Sequence, residues 1–211
     1  MIDIPKRKGS ETRDQILDTA EAAVLEKGFG ATSIEELIMA VGITKSGFFY
    51  HFKDKSALAK AMLQRYLDRD DHFFDDIFNR SDELSEDPLH GFLIGLKMLS
   101  EAFGDVPKTH PGCLVASICY QEQLFNQEIR DLNRDGVLKW RRRFRLHLDK
   151  IESQYVPKID VNLDSMADML SSLVEGGITL SKTMNDKDVL PKQIMLFRDF
   201  VRLVFLGPAP Q

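Results

Sequence analysis

One stretch of the sequence, Ala31–Leu58, constrains the fold most, because it holds two short helical segments on either side of a tight turn. Apolar residues recur at helical spacing up to Gly42, and glycine is the residue that most often follows a helix end. Thr44 then suits the capping position of a second short helix that ends near His51. This succession predicts a helix-turn-helix, a unit that in many proteins places its second helix in a DNA groove.

The flanking residues predict where the neighbouring helices begin. Thr32 and Glu35 match a capping box, in which a hydroxyl and a carboxylate each satisfy a backbone N–H at the start of a helix. A longer helix, capped at Ser10, precedes this one. Another, capped at Asp54, follows the helix-turn-helix and keeps its apolar spacing towards Phe78. The turn is therefore expected to lie between two long helices.

The rest of the chain also predicts helices, since no segment shows the sustained alternation of apolar and polar residues that is typical of strands. Together with the four helices above, the chain is expected to be all-α, with about nine helices. Five further helices are expected. The first covers Pro88–Phe103, the second begins near Cys113, and the third is a long segment through Trp140 and Phe144 that ends before Pro157. The last two cover Leu163–Met184 and Val189–Leu206.

Charge is distributed unevenly along the chain. The 28 basic and 33 acidic residues give a net charge of −5, yet Thr44–Lys60 holds four lysines against one aspartate. A local positive surface on an acidic protein favours contact with a polyanion at one place. No apolar run is long enough for a membrane span, the N-terminus lacks a signal-peptide pattern, and two cysteines are too few for a disulfide framework. We therefore expect a cytoplasmic protein.

Polar and aromatic side chains that suit DNA gather along the helix-turn-helix. The start of its second helix presents free backbone N–H groups that can meet phosphate, and a lysine there can reach base edges. Of the three phenylalanines nearby, at least two are expected in the core. The candidate DNA contacts are Thr32, Ser33, Thr44, Lys45, Ser46, Gly47, Tyr50, His51 and Lys55.

These residues resemble the DNA-binding domain of TetR-family transcriptional regulators over about residues 10–60. The matching positions are Gly28, Thr32, Leu37-Ile38, Val41-Gly42-Ile43-Thr44, Phe49-Tyr50-His51-Phe52, Lys55 and Leu58. Ile38 and Val41 depart from the family, which usually has alanine there. The resemblance implies a homodimer that inserts one helix per subunit into the major groove of a double-stranded DNA operator. It also implies a DNA-binding domain, residues 1–56, and a ligand-binding and dimerisation domain, residues 57–211.

The second domain offers candidates for dimerisation and for ligand binding. Helices eight and nine are expected to form the dimer, although both of their apolar faces also fit an ordinary core. The faces comprise Met166, Met169, Leu170, Leu173, Gly176, Gly177 and Leu180 on helix eight, and Ile194, Phe197, Val201 and Val204 on helix nine. A pocket for an unidentified, moderately apolar inducer is expected among helices four to eight, lined by Met98, Phe103, Cys113, Ser117, Tyr120, Trp140, Phe144 and Met169.

Two groups of residues leave alternatives open. Four arginines around Trp140, at positions 141, 142, 143 and 145, form either an anion site or a solvated basic face. Cys113 lies at an expected helix start, where the dipole favours thiolate, so it is either a reactive thiol or an inert one. Cys119, six residues further on, is too distant for an unstrained disulfide with it.

The sequence carries no motif typical of an enzyme, such as a glycine-rich phosphate loop, a zinc-protease helix or a nucleophile elbow. It predicts no enzyme activity, no cofactor, no metal site and no membrane partner. The favoured function is a repressor that a small ligand releases from a palindromic operator. The alternatives are a redox or electrophile sensor that acts through Cys113, and a helical protein-binding module.

Overall fold

A computed structural model of the protein describes residues 5–106 and 108–208. In these ranges all regular elements are helical, which confirms the all-α prediction, and no helix is long and apolar enough to cross a membrane. The α-helices are α1 Pro5–Lys27, α2 Ile34–Val41, α3 Lys45–His51, α4 Lys55–Leu84, α5 Pro88–Gly104, α6 Leu114–Tyr120, α7 Gln127–Glu152, α8 Leu163–Met184 and α9 Val189–Leu206. A turn of 3-10 helix, Glu122–Leu124, lies between α6 and α7 and was not predicted.

Two helix ends differ from the expectation drawn from the sequence. α1 begins at Pro5 and not at Ser10, because proline suits the first turn of a helix, where its missing N–H would have no partner. α4 continues to Leu84, beyond the predicted end near Phe78. Within this added segment Ser81 is buried, and its Oγ donates a hydrogen bond to the carbonyl of Phe78 at 3.0 Å.

The chain divides into two compact units. The first unit consists of Met1–Arg69 and Pro111–Asp135, so it includes α6 as well as the helix-turn-helix. Within it, α1 packs against both α2 and α6. Its core is made of apolar side chains from the first four helices, which are Ile16, Leu17, Val24, Leu37, Phe48, Leu58 and Met62.

The second unit consists of Asp70–His110 and Gly136–Gln211. In this unit α9 packs against both α5 and α8. Close approach of α8 to the start of α9 depends on Gly177, because a Cβ there would lie only 3.1 Å from Cα of Leu190. The side chains of α5 that point into this core are Leu89, Phe92, Leu96 and Leu99.

The side of α9 that was predicted to meet a partner subunit is buried within the chain itself. Its residues, packed inside the second unit, are Ile194, Phe197, Val201 and Val204. The prediction for α9 was therefore wrong in the choice of side, because contacts with α5 and α8 already occupy these positions. A different side of the helix exposes Leu196, Leu203 and Leu206.

Candidate nucleic-acid interface

The start of α2 is capped by Ser33. Its Oγ accepts a hydrogen bond from the backbone N–H of Glu36 at 3.1 Å, so the predicted capping box lies one residue too early. Thr32 is buried instead and donates its hydroxyl hydrogen to the carbonyl of Gly28 at 3.0 Å. Nζ of Lys27 lies 2.5 Å from the carboxylate of Glu36. The hydrogen bond from Lys27, more than the charge of Lys27, lowers the pKa of the Glu36 carboxyl group, and a hydrogen bond from the Ser33 N–H lowers it further. Of the two hydroxyls, only that of Ser33 lies at the surface.

The turn between α2 and α3 has the predicted geometry. Gly42 ends α2 in the left-handed region, at φ +73°, where glycine avoids the strain that a side chain would cause. Its N–H donates to the carbonyl of Ile38 at 3.0 Å. Thr44 then caps α3, with its Oγ1 accepting from the N–H of Gly47 at 3.1 Å and lying 3.1 Å from Oγ of Ser46. Local hydrogen bonds thus fix where α3 begins.

The aromatic residues of α3 separate into an inner and an outer side. Phe48 and Phe52 are buried, with ring centroids 5.9 Å apart, which confirms that at least two phenylalanines pack in the core. Phe49 is exposed, and Tyr50 is 82% exposed. His51 is half-buried, with its ring edge-on to Tyr50 at 5.0 Å. Burial of the inner side orients α3 so that its polar side faces solvent.

Lys45 at the first position of α3 is available to a ligand. Its side chain is 70% exposed, and its Nζ lies 4.0 Å from a carboxylate oxygen of Glu35, which is equally exposed. An ion pair at this distance and exposure contributes about 0–1 kcal/mol, so a phosphate or a base can replace the carboxylate at small cost. Lys53 is likewise exposed, beside the carboxylate of Asp54. Exposed lysines thus lie at the start of α3 and just after its end, and the positive surface they would form stays a prediction.

Lys55 has a more buried environment than a simple phosphate contact would have. Its Nζ donates a hydrogen bond to the carbonyl of Phe29 at 2.7 Å and lies 4.3 Å from the centroid of the Phe29 ring. Burial lowers the pKa of this ammonium. The contact fixes the α1–α2 turn to the start of α4. A phosphate contact by Lys55 stays a prediction.

The eight residues predicted for the ligand pocket fall into both compact units. Cys113, Ser117 and Tyr120 lie on or beside α6 in the first unit, where Tyr120 is 79% exposed and the Ser117 hydroxyl donates to the carbonyl of Cys113. Among the described residues, neither Cys113 nor Cys119 is in a disulfide. The second unit holds Met98, Phe103, Trp140, Phe144 and Met169. Neither unit by itself brings all eight together, and the pocket stays a prediction.

Three of the four arginines around Trp140 are bound by aspartates of the same unit. These pairs are Arg141 with Asp168, Arg143 with Asp71 and Asp75, and Arg145 with Asp149 and Asp164. The first is bidentate, at 2.7 and 2.6 Å, and its hydrogen bonds raise the pKa of the guanidinium. These arginines therefore hold α7 to its neighbours, and their partners were not predicted from the sequence. Within the described ranges, no group of three His, Cys, Asp or Glu side chains is arranged to hold a metal ion.

The sequence of the helix-turn-helix matches a known family. Residues 16–62 match the model of the N-terminal domain described as "Bacterial regulatory proteins, tetR family". The helix-turn-helix domain belongs to the TetR family. The probable transcriptional regulator ArpR of Pseudomonas putida is 29% identical over 106 residues, which are 50% of this chain and 48% of that protein. The chain thus spans about half the length of the curated relatives that it matches first.

Solved structures share the fold over nearly the whole chain. A TetR-family regulator from Agrobacterium tumefaciens has a TM-score of 0.76 at 16% identity, covering 93% of this chain and 99% of its own. The reduced form of NemR from Escherichia coli has a TM-score of 0.73 at 18% identity, covering 94% and 100%. At these identities the likeness establishes the all-helical fold alone.

Proposed function

We propose that the protein is a DNA-binding transcriptional regulator and not an enzyme, acting as a repressor that leaves a palindromic operator when a small ligand binds. The observation that carries the proposal is the outer side of α3 in a TetR-family helix-turn-helix. There Lys45 is exposed next to the Thr44 cap and Tyr50 is exposed near the end of the helix, while Phe48 and Phe52 fix the orientation of the helix from within.

The chemistry of this surface suits a major groove. Lys45 at the start of α3 offers donors to guanine O6 and N7, which is a base-specific contact. The hydroxyls of Ser33 and Ser46 and the phenol of Tyr50 suit phosphate oxygens, which position the protein without reading sequence. Because the chain carries a net charge of −5, this local surface and not the whole protein must attract the DNA.

We further propose a homodimer that forms through α8 and α9. On α8, Leu180 and Met184 are exposed, and on α9, Leu196, Leu203 and Leu206 are exposed at helical spacing. A row of exposed leucines on one side of a helix is costly in water and is typical of a surface that a partner covers. The two-fold symmetry of such a dimer matches the symmetry of a palindromic operator, with half-sites about one helical turn apart or a little more.

The experiment that tests this function is selection of DNA by the wild-type protein from a pool of random duplexes. We expect a palindromic sequence to be enriched. Lys45→Ala should then lower the preference for the selected duplex over a scrambled one by about tenfold or more, since one good base contact gives roughly 1–3 kcal/mol of discrimination. Enrichment of no sequence would contradict the proposal.

Lys97→Ala is the matched control. Lys97 is also exposed and also has a carboxylate within 4 Å, that of Glu101 at 3.6 Å, but it lies on α5 in the other unit. The control should bind the selected duplex like the wild type. Equal losses in the two variants would show that general charge, and not the α3 surface, determines binding.

A further inference from the structure

The turn that joins α1 to α2 is held by residues from a distant part of the chain. The backbone N–H of Gly30 donates a hydrogen bond to Oε1 of Gln121 at 3.1 Å. The ring of Phe125 lies against that of Phe29, with centroids 4.6 Å apart. Both contacts come from the connector between α6 and α7, residues 121–126, which belongs to the same compact unit as the helix-turn-helix.

The approach of this connector to the turn is close. A Cβ at Gly30 would lie 3.2 Å from Cδ1 of Leu124, and one at Gly28 would lie 2.5 Å from Nε2 of Gln121. The turn and the connector therefore fit together through positions that lack side chains. A shift of the connector by even one ångström would break the hydrogen bond or force the turn to follow.

The same turn also supports the residues proposed to meet DNA. The Phe29 carbonyl, whose own ring contacts Phe125, accepts the hydrogen bond of Lys55 at the start of α4. The carbonyl of Gly28 accepts the hydroxyl of buried Thr32, which immediately precedes the Ser33 cap of α2. The position of the turn thus sets where α2 and α4 begin, and α3 lies between them in the chain.

The connector is in turn fixed to the helices on either side of it. Arg130 on α7 donates to the carbonyl of Phe125 at 2.6 Å. The amide of Asn133 on α7 donates to the carbonyl of Val115 on α6 at 3.1 Å, and its own oxygen, which is buried, has no hydrogen-bond partner in the part of the chain that the structure describes. A change in α6 or α7 is therefore passed to Gln121 and Phe125.

We propose that Gln121 and Phe125 are positioning residues for DNA binding. They make the placement of the α1–α2 turn, and through it of α2, Lys55 and α3, depend on the α6–α7 connector. The connector thereby controls DNA affinity from a place that need not touch DNA. The inference rests on the proposed function and names how the DNA-binding surface is regulated.

The test compares Gln121→Met with Gln123→Met. Methionine preserves the length of the side chain at position 121 but removes the acceptor of the Gly30 N–H. Gln123 is exposed in the same 3-10 turn and gives the matched control. Two quantities are measured: amide hydrogen exchange in residues 28–32, and affinity for the duplex selected by the wild-type protein and for a scrambled duplex.

We expect Gln121→Met to speed exchange in residues 28–32 and to weaken binding of the selected duplex about threefold to tenfold, the effect of one lost hydrogen bond. Affinity for the scrambled duplex should stay within twofold of the wild type, because the charges of the surface are unchanged. General destabilisation would not lower the ratio of the two affinities. Gln121→Glu retains an acceptor and should restore slow exchange.

Phe125→Leu serves as a second variant and should also lower the ratio of the two affinities. If Gln121→Met or Phe125→Leu loses its cooperative thermal transition and so is not folded, the affinity ratio of the other variant tests the inference. Faster exchange with an affinity ratio equal to that of Gln123→Met would overturn the inference while leaving the proposed function intact. A wild-type protein that selects no duplex would overturn the proposed function and, with it, the inference.

Discussion

The proposed dimer predicts a specific cost for truncating Leu196 on α9. This side chain is 58% exposed in the single chain, on the same side of the helix as Leu203. Leucine to alanine removes three carbon groups, each with a burial free energy of about 0.8 kcal/mol. If a partner covers the exposed fraction, Leu196→Ala loses about 1.4 kcal/mol per subunit. An isologous interface contains the residue twice, so the dimer loses about 2.8 kcal/mol, which raises its dissociation constant about 100-fold.

Sedimentation velocity from nanomolar to micromolar concentration measures this change. Leu146→Ala is the matched control, because Leu146 on α7 is 63% exposed and lies outside the proposed interface. We expect the control to dissociate like the wild type. Equal dissociation constants for Leu196→Ala and the wild type, or a wild-type protein that stays monomeric at micromolar concentration, would refute the proposed interface.

Further predictions concern stability and thiol chemistry. Burial lowers the pKa of His147 below its ordinary value of 6.5, so between the two values the unfolded chain binds more protons than the folded one. The free energy of unfolding should therefore fall as the pH drops below 6.5. Urea titrations at pH 7.5 and pH 5.5 should show a smaller fall for His147→Asn than for the wild type. Gly177→Ala should lower the free energy of unfolding by about 1–3 kcal/mol, because its Cβ would crowd the backbone of Leu190, and an unchanged urea midpoint would contradict this. Cys113→Ser should bind the selected duplex like the wild type in electrophoretic shift assays; a peroxide response that the wild type shows and the variant lacks would instead establish a thiol sensor.

Local signals predicted the helix-turn-helix well. Gly42, Thr44 and Asp54 each act on backbone groups within four residues, so their roles follow from the sequence alone. The cap of α2 shows where such signals stop. Thr32 and Ser33 are adjacent hydroxyl residues, each followed three positions later by a glutamate, and both fit the capping pattern. Burial of Thr32 in the tertiary structure decides between them.

Other features depend on packing that periodicity does not specify. α9 is apolar on most of its circumference, so spacing alone did not distinguish the side of Ile194, which packs within the chain, from the side of Leu196, which is exposed. Gln121 had no distinguishing signal, because its partner Gly30 lies 91 positions away. Most of the arginine–aspartate pairs were missed for the same reason, since each of the three arginines binds at least one carboxylate of another helix.

The dependence of DNA affinity on salt tests the central claim most directly. If Lys55, Tyr50 and the N–H groups at the start of α3 meet phosphates in both subunits, while Lys45 reaches the bases, binding of the selected duplex must release counterions, on the order of 4–8 per dimer. The logarithm of the association constant should then fall with the logarithm of salt concentration with a slope of about −4 to −7. A slope near zero between low and physiological ionic strength would contradict DNA binding through this surface.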